Sequence, residues 1–118
     1  MTNAEFKEEL EQRTKRFAVA LVNWLDMLPE RRAVNVLVYQ LAKSGTAMGA
    51  NYREANESLS KKDSAMRMKI ARKECKETGY WLELLKEANP GICNKIDLLI
   101  KEAVELRNIF SAIISKMV

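Results

Sequence analysis

Two glycines inside one predicted helix set the strongest constraint on how this chain folds. Segment 40–56 reads QLAKSGTAMGANYREAN, contains no proline, and holds Gly45 and Gly49 four residues apart. A glycine in a helix interior costs about 1 kcal/mol relative to alanine, so two on one face indicate a compensating contact. With Ala42 they form a flat strip, and small residues at this spacing let a second helix approach closely. The segment therefore predicts a tightly packed helix pair.

The same helix carries a polar line beside an apolar line. Both recur at steps of three and four, so each follows one face of the helix. The polar line consists of Gln40, Ser44, Ala47, Asn51 and Glu54. The apolar line consists of Val34, Leu37, Leu41, Met48, Tyr52 and Ala55. Two interpretations are open: the polar line is solvated, or Asn51, Arg53 and Glu54 form a hydrogen-bonded network between helices.

Apolar periodicity and turn signals divide the chain into four amphipathic helices. The predicted helices cover about 4–28, 32–56, 60–88 and 92–118. Thr2 and Ser60 stand three residues before an acidic residue, which is capping-box spacing. Pro29 and the Asn89-Pro90-Gly91 turn end helices. Because the connections are short, consecutive helices should be antiparallel. We therefore expect an all-α protein, a single up-down-up-down four-helix-bundle domain over residues 1–118.

Two of these helices depart from a simple single apolar face. In the first, the apolar stripe is interrupted at Arg13 and Thr14, by either a solvated stretch or a polar contact with a neighbour. In the fourth, one line keeps heptad spacing: Ile92, Ile96, Leu99, Ala103, Leu106, Phe110, Ile113 and Met117. A second line follows Ile100, Val104 and Ile114. The extra apolar surface is either a broad core-facing stripe or a subunit interface, which would make the protein a homo-oligomer.

The composition excludes several kinds of site. Histidine is absent, so Ser-His-Asp and Cys-His catalysis and histidine metal ligands are excluded. Cys75 and Cys93 match no metal-binding spacing, which predicts small core residues or free thiols. A carboxylate cluster is conceivable from Glu54, Glu57, Glu74 and Glu77, but pairing with Arg53, Lys73 or Tyr80 explains these residues better. We predict no catalytic residue, metal or cofactor.

The ends and the hydropathy of the sequence favour a cytoplasmic protein. The N-terminal residues MTNAEFKEELEQR are polar and charged, unlike a signal peptide. No apolar run approaches the roughly 20 residues that a membrane span needs. Two widely separated cysteines suit a reducing compartment.

The positive charge is concentrated in the predicted third helix. The net charge of the chain is +4, yet segment 61–76 holds seven basic and two acidic residues, a net of +5. The remaining residues therefore sum to −1. Five side chains of this segment share one helical face and are called the basic stripe: Lys62, Lys69, Arg72, Lys73 and Lys76. The stripe is either an ordinary solvated face or a surface that binds phosphates with little sequence preference.

Several segments resemble one bacterial protein family. They are a first helix ending in LP, the block SGTAMGANYREA at 44–55, the SKKD that opens the third helix and KECKETGYWLELL within it. These segments are similar to the four-helix-bundle family encoded in intervening sequences of 23S ribosomal RNA genes, whose members are often named ribosomal-protein-like. The accessory variability protein of diversity-generating retroelements looks like a relative. The resemblance covers about residues 17–114.

The resemblance implies a fold, an assembly and a class of partner. It implies an antiparallel four-helix bundle that assembles as a homopentamer and associates with RNA or DNA. A reverse transcriptase is a partner implied by the resemblance alone. We therefore predict that the protein is non-catalytic and binds nucleic acid through the basic stripe. The alternative is a structural or adaptor protein that acts through protein–protein contacts.

Overall fold

The four predicted helices are present in a computed structural model, which describes residues 1–89, 91 and 94–117. They are α1 (Asn3–Leu25), α2 (Arg32–Glu57), α3 (Lys61–Ala88) and α4 (Lys95–Met117). The molecule extends over 44 × 25 × 20 Å, and α3, with 28 residues, accounts for about 42 Å at 1.5 Å per residue. No helix in the described part is long and apolar enough to cross a membrane. The all-α prediction is confirmed.

The helix ends follow the predicted caps, with one difference. Thr2 and Glu5 form a complete capping box, and the Ser60 hydroxyl accepts a hydrogen bond from the Asp63 amide at 3.1 Å. Helix α1 ends at Leu25, three residues before the predicted end. The chain there tightens into turns in which the amides of residues 27 and 28 bond to carbonyls three residues earlier, because the residue before Pro29 avoids the helical region. The predicted start of α4 at Ile92 lies outside the described residues.

Consecutive helices pack side by side and antiparallel. The numbers of facing residues rise on one helix as they fall on the next, which fixes the direction. The facing residues are Glu11–Asn56 and Leu21–Gly45 for α1 and α2, Asn51–Arg67 and Ser44–Thr78 for α2 and α3, and Cys75–Ala103 and Lys86–Asp97 for α3 and α4. Helix α4 also packs against α1, and across the core the rings of Tyr52 on α2 and Phe110 on α4 lie 5.9 Å apart between their centroids. This is the arrangement of an up-down-up-down four-helix bundle.

Helices α1 and α2 approach closely at the two glycines. A methyl group built on Gly49 would lie 3.0 Å from the Thr14 hydroxyl oxygen and 3.2 Å from the Thr14 Cβ. A methyl group built on Gly45 would overlap a methyl of Leu21, with the ring of Phe17 just beyond. Because a side chain at either position would push the helices apart, the missing Cβ atoms set the α1–α2 distance.

The interruption of the α1 stripe is a polar contact rather than a solvated stretch. The Arg13 guanidinium donates to both carboxylate oxygens of Glu102 on α4, at 2.8 and 2.7 Å, and lies 3.4 Å from Glu105. The hydrogen bond from Arg13 holds the pKa of Glu102 below its ordinary value. Thr14 is buried, and its hydroxyl donates to the Glu11 carbonyl at 2.9 Å. The Arg13 contacts tie α1 to α4, whereas the Thr14 hydrogen bond stays within α1.

Part of the α2 polar line is buried against α3. Ser44 and Thr78 are both buried, and the Thr78 hydroxyl oxygen lies 2.8 Å from both Ser44 Oγ and the Glu74 carbonyl. Each hydroxyl has one proton, so a chain in which Ser44 donates to Thr78 and Thr78 donates to Glu74 satisfies both. The solvated interpretation therefore does not hold at Ser44.

The core line of α4 follows the predicted heptad seam and then leaves it. Five members are buried: Ile96, Leu99, Ala103, Leu106 and Phe110. Beyond Phe110 the core residue is Ile114, while Ile113 is only partly buried and Met117 is 37% exposed. A straight helix drifts about 20° per heptad relative to a 3.5-residue repeat, which moves the core line by one position. Ile114 of the predicted second line thus belongs to the core, and Val104 remains on the surface.

Candidate nucleic-acid interface

The basic stripe lies on the outer side of α3. The opposite side of the helix supplies the core residues Met68, Ala71, Cys75, Leu82 and Leu85, which turns the stripe toward solvent. Lys62, Lys69, Lys73 and Lys76 are exposed, and Arg72 is half-buried. Among the described residues, Lys73 is the one stripe member in an ion pair, 4.0 Å from Glu77. The other four cations have no carboxylate partner in that part of the chain and are available to a ligand.

An open groove runs beside the stripe, between α3 and α4. Its volume is about 210 Å³. The lining residues include Lys76, Gly79 and Tyr80 from α3, and Ile100, Val104 and Arg107 from α4. Lys76 belongs to both features, so the groove continues the basic stripe toward α4. Arg107 adds a cation from a second helix, and its guanidinium is 3.3 Å from the side chain of the adjacent Asn108.

Gly79 differs from the other two helical glycines. Apart from the adjoining residues and backbone of α3 itself, no atom lies within 4 Å of the position that its Cβ would occupy. Packing therefore does not require a glycine there, although a glycine at a helix interior costs about 1 kcal/mol relative to alanine. Its effect is to leave space in the wall of the groove.

Cys75 at the base of the groove is a neutral core thiol. It is 1% exposed, and its thiol donates to the Ala103 carbonyl at 3.1 Å. Burial raises the pKa of Cys75 to about 12, against a smaller opposing effect of the Arg107 charge. Because the thiolate is the reactive form, this thiol is inert at neutral pH. Cys93 lies outside the described residues.

The four glutamates of the conceivable carboxylate cluster are not brought together. Glu54 and Glu57 follow Asn51 toward the α2–α3 connection, whereas Glu74 and Glu77 lie on the other side of the Asn51–Arg67 pair. Burial, followed by the nearby charge of Glu77, raises the pKa of Glu74. Glu77 pairs with Lys73, as expected. In the described part of the chain, no three Cys, Asp or Glu side chains are grouped to hold a metal ion.

Asn51, Arg53 and Glu54 do not form one network: two of them contact different helices and the third faces solvent. The side-chain amide oxygen of Asn51 accepts a hydrogen bond from the Arg67 guanidinium on α3 at 3.4 Å. Arg53 reaches toward α1, 3.9 Å from Glu11. Glu54 is exposed. Successive residues of a helix point about 100° apart, so these side chains meet different neighbours.

Sequence reasoning missed two residues beside the stripe. Tyr80 lies four residues after Lys76 and seven after Lys73, so the helical period places it on the same face. The spacing along the sequence was therefore enough to place Tyr80 beside the stripe. Arg107 is on another helix, and its position depends on how α4 is shifted along α3. No pattern within a single helix contains that information.

Comparisons with known proteins agree with the four-helix fold. The sequence model of the 23S rRNA-intervening sequence protein family matches residues 7–112. A protein of unknown function from the S23 ribosomal protein family of Bacteroides thetaiotaomicron, known from a crystal structure, is 31% identical, with a TM-score of 0.84. The alignment covers 92% of this chain and 97% of that one. No curated protein matches the chain. The chain therefore belongs to the 23S rRNA-intervening sequence protein family.

Proposed function

We propose that this protein is a non-catalytic nucleic-acid-binding protein that holds phosphates on the basic stripe. The observation that carries the proposal is the exposed state of Lys62, Lys69 and Lys76 on one face of α3, where none of the three is in an ion pair with a described residue. Cations without a protein partner bind phosphate with no ion pair to break, and the release of condensed counterions drives the association. Such contacts position a strand and carry no sequence information, so binding should depend on salt more than on sequence.

Assembly of several copies would strengthen this binding. The resemblance implies a homopentamer, and five chains of charge +4 would carry 5 × 4 = +20. A polyanion that touches several stripes at once gains avidity without any new contact. Support for association comes from apolar side chains that remain exposed in the single chain: Val19, Val36, Tyr39, Leu98 and Val104.

A salt titration tests the stripe. A labelled single-stranded RNA of about 16 nucleotides, the upper end of common site sizes, serves as probe, with duplex DNA of equal length beside it. The variant changes Lys69, Arg72, Lys73 and Lys76 to glutamine. Each lost phosphate contact lowers the slope of log K against log salt by about 0.7 to 0.9, so the slope should fall by about 3.

A second quadruple variant separates the stripe from the net charge. Lys7, Lys15, Arg32 and Lys116 are exposed and lie on other surfaces, and changing them to glutamine also lowers the net charge from +4 to zero. This control should retain a slope near that of the wild type. Circular dichroism and light scattering verify that both variants keep their helices and assembly. Absence of binding at about 50 mM salt, or equal losses in both variants, would refute the proposal.

A structural or adaptor role is the second candidate. Val36 and Tyr39 lie three residues apart on α2 and are 59% and 64% exposed, so they form an apolar pair that a protein partner would cover. A protein partner, such as the reverse transcriptase implied by the resemblance, would occupy it. Changing Val36 and Tyr39 to serine would then abolish a protein complex while RNA binding by the wild type stays undetectable.

A further inference from the structure

We propose that the groove between α3 and α4 holds one unpaired base of a single-stranded nucleic acid, with the flanking phosphates on Lys76 and Arg107. This inference rests on the proposed function and names the form of nucleic acid that the surface prefers. It combines three features of the groove: its apolar floor, its two cations and the space at Gly79.

The walls of the groove suit a flat aromatic ring. Ile100 is partly buried, and Val104 and Tyr80 are 37% and 56% exposed, so apolar and aromatic surface faces solvent there. Bases stack on such side chains regardless of sequence, because every base has a π-face. The volume of about 210 Å³ is below the roughly 300 to 1,000 Å³ of ordinary small-molecule pockets. The groove therefore fits one base rather than a larger ligand.

The two cations beside the groove favour an anionic occupant, and the apolar lining favours one that also carries a ring. Lys76 from α3 and Arg107 from α4 line the same groove, and neither takes part in an ion pair among the described residues. Glu83 is the acidic residue in the lining. A nucleotide combines a ring with phosphates on both sides. A base in a duplex is paired and stacked, so the groove would accept a base from a single strand.

Gly79 provides a way to close the groove without disturbing the core. It lines the groove, and no atom apart from the adjoining residues and backbone of α3 lies within 4 Å of its Cβ position. A leucine there would fill the space in the wall, and it is also a better helix former than glycine. Gly79→Leu is the test variant, and Gly79→Ala is its matched control, because a methyl group leaves most of the space open.

The experiment compares three probes that differ in their bases. They are a labelled oligothymidylate of about 16 nucleotides, an abasic strand of equal length and charge, and a duplex of the same length. With wild-type protein, the oligothymidylate should bind about tenfold more tightly than the abasic strand, which is within the range that base–aromatic stacking supplies. Gly79→Leu should remove that difference and leave duplex binding unchanged, whereas Gly79→Ala should keep most of it.

The outcomes distinguish this inference from the proposed function. If the oligothymidylate and the abasic strand bind equally, and the stripe variant weakens both, the inference is overturned while the proposed function stands. If none of the three probes binds, both fail. A labelled peptide of alternating glutamate and tyrosine is the fourth probe. If Gly79→Leu releases this peptide and leaves oligothymidylate binding unchanged, the groove docks a protein segment and the inference is overturned.

Discussion

Replacing each helical glycine with alanine, one at a time, separates close packing from helix propensity. The change adds the same methyl group at Gly45, Gly49 and Gly79, but the surroundings differ. At Gly79 the methyl meets open space, and at Gly49 it presses on Thr14 at 3.0 to 3.2 Å. At Gly45 it overlaps a methyl of Leu21. We therefore expect the free energy of unfolding to be highest for Gly79→Ala, lower for Gly49→Ala and lowest for Gly45→Ala.

The magnitudes follow from two opposing terms. The gain in helix propensity is about 1 kcal/mol at each position. At Gly79 no overpacking opposes this gain, so Gly79→Ala should be about 1 kcal/mol more stable than the wild type. Thr14 is fixed by its bond to the Glu11 carbonyl, and Leu21 is fully buried, so neither yields easily. Overpacking costs about 1 to 3 kcal/mol, which gives a net loss near 1 kcal/mol for Gly49→Ala and about 2 kcal/mol for Gly45→Ala.

Urea unfolding followed by circular dichroism measures these differences at one fixed protomer concentration, since association would shift the apparent stability. For a chain of this size, 1 kcal/mol corresponds to a change in melting temperature of about 4 °C. Gly49→Leu should lose several kcal/mol, because leucine adds three more carbons at the same contact. If Gly45→Ala gained as much stability as Gly79→Ala, the close approach of α1 and α2 would be refuted.

Two further predictions concern the ion pair and the assembly. Arg13→Gln should cost about 1 kcal/mol at pH 7. This is less than the roughly 1.5 to 3 kcal/mol of hydrogen bonds to charged groups, because the side chains of Arg13 and Glu102 are 31% and 29% exposed and solvent screens the pair. The folded-state pKa of Glu102 is lowered from 4.5, so this stabilisation is present above pH 4.5 and is lost as the pH falls further. Urea unfolding at a series of acidic pH values measures it. If the wild type remained more stable than Arg13→Gln at low pH, the assignment to this ion pair would be contradicted. Light scattering should give about five times the 13.5 kDa chain mass, and a monomer at micromolar concentration would exclude the pentamer.

The helices were predictable from the sequence because each depends on local signals. The caps at Thr2 and Ser60 and the breaks at Pro29 and Asn89 need only neighbouring residues. The sequence left open whether Ile114 faces the core or a subunit interface, because a heptad pattern and a straight helix diverge gradually over several turns.

Of the candidate site, the basic stripe could be predicted from the sequence and the groove could not. The stripe lies on one helix, so spacing alone reveals it. A polar line such as that of Ser44 has the same pattern whether it faces water or another helix. The groove needs the relative shift of α3 and α4, which sets Arg107 beside Lys76 and depends on packing between helices.

The contact between Arg13 and Glu102 has a kinetic consequence. It joins residues 89 positions apart, whereas α2 and α3 are neighbours in sequence and share the most extensive contact of the bundle. Closing the longer loop costs more chain entropy, and that cost is met before the contact stabilises anything. The α2–α3 hairpin should therefore form first and the α1–α4 edge last. The same edge should open first when the folded protein fluctuates, while α3, which carries the basic stripe, stays held between its two neighbours.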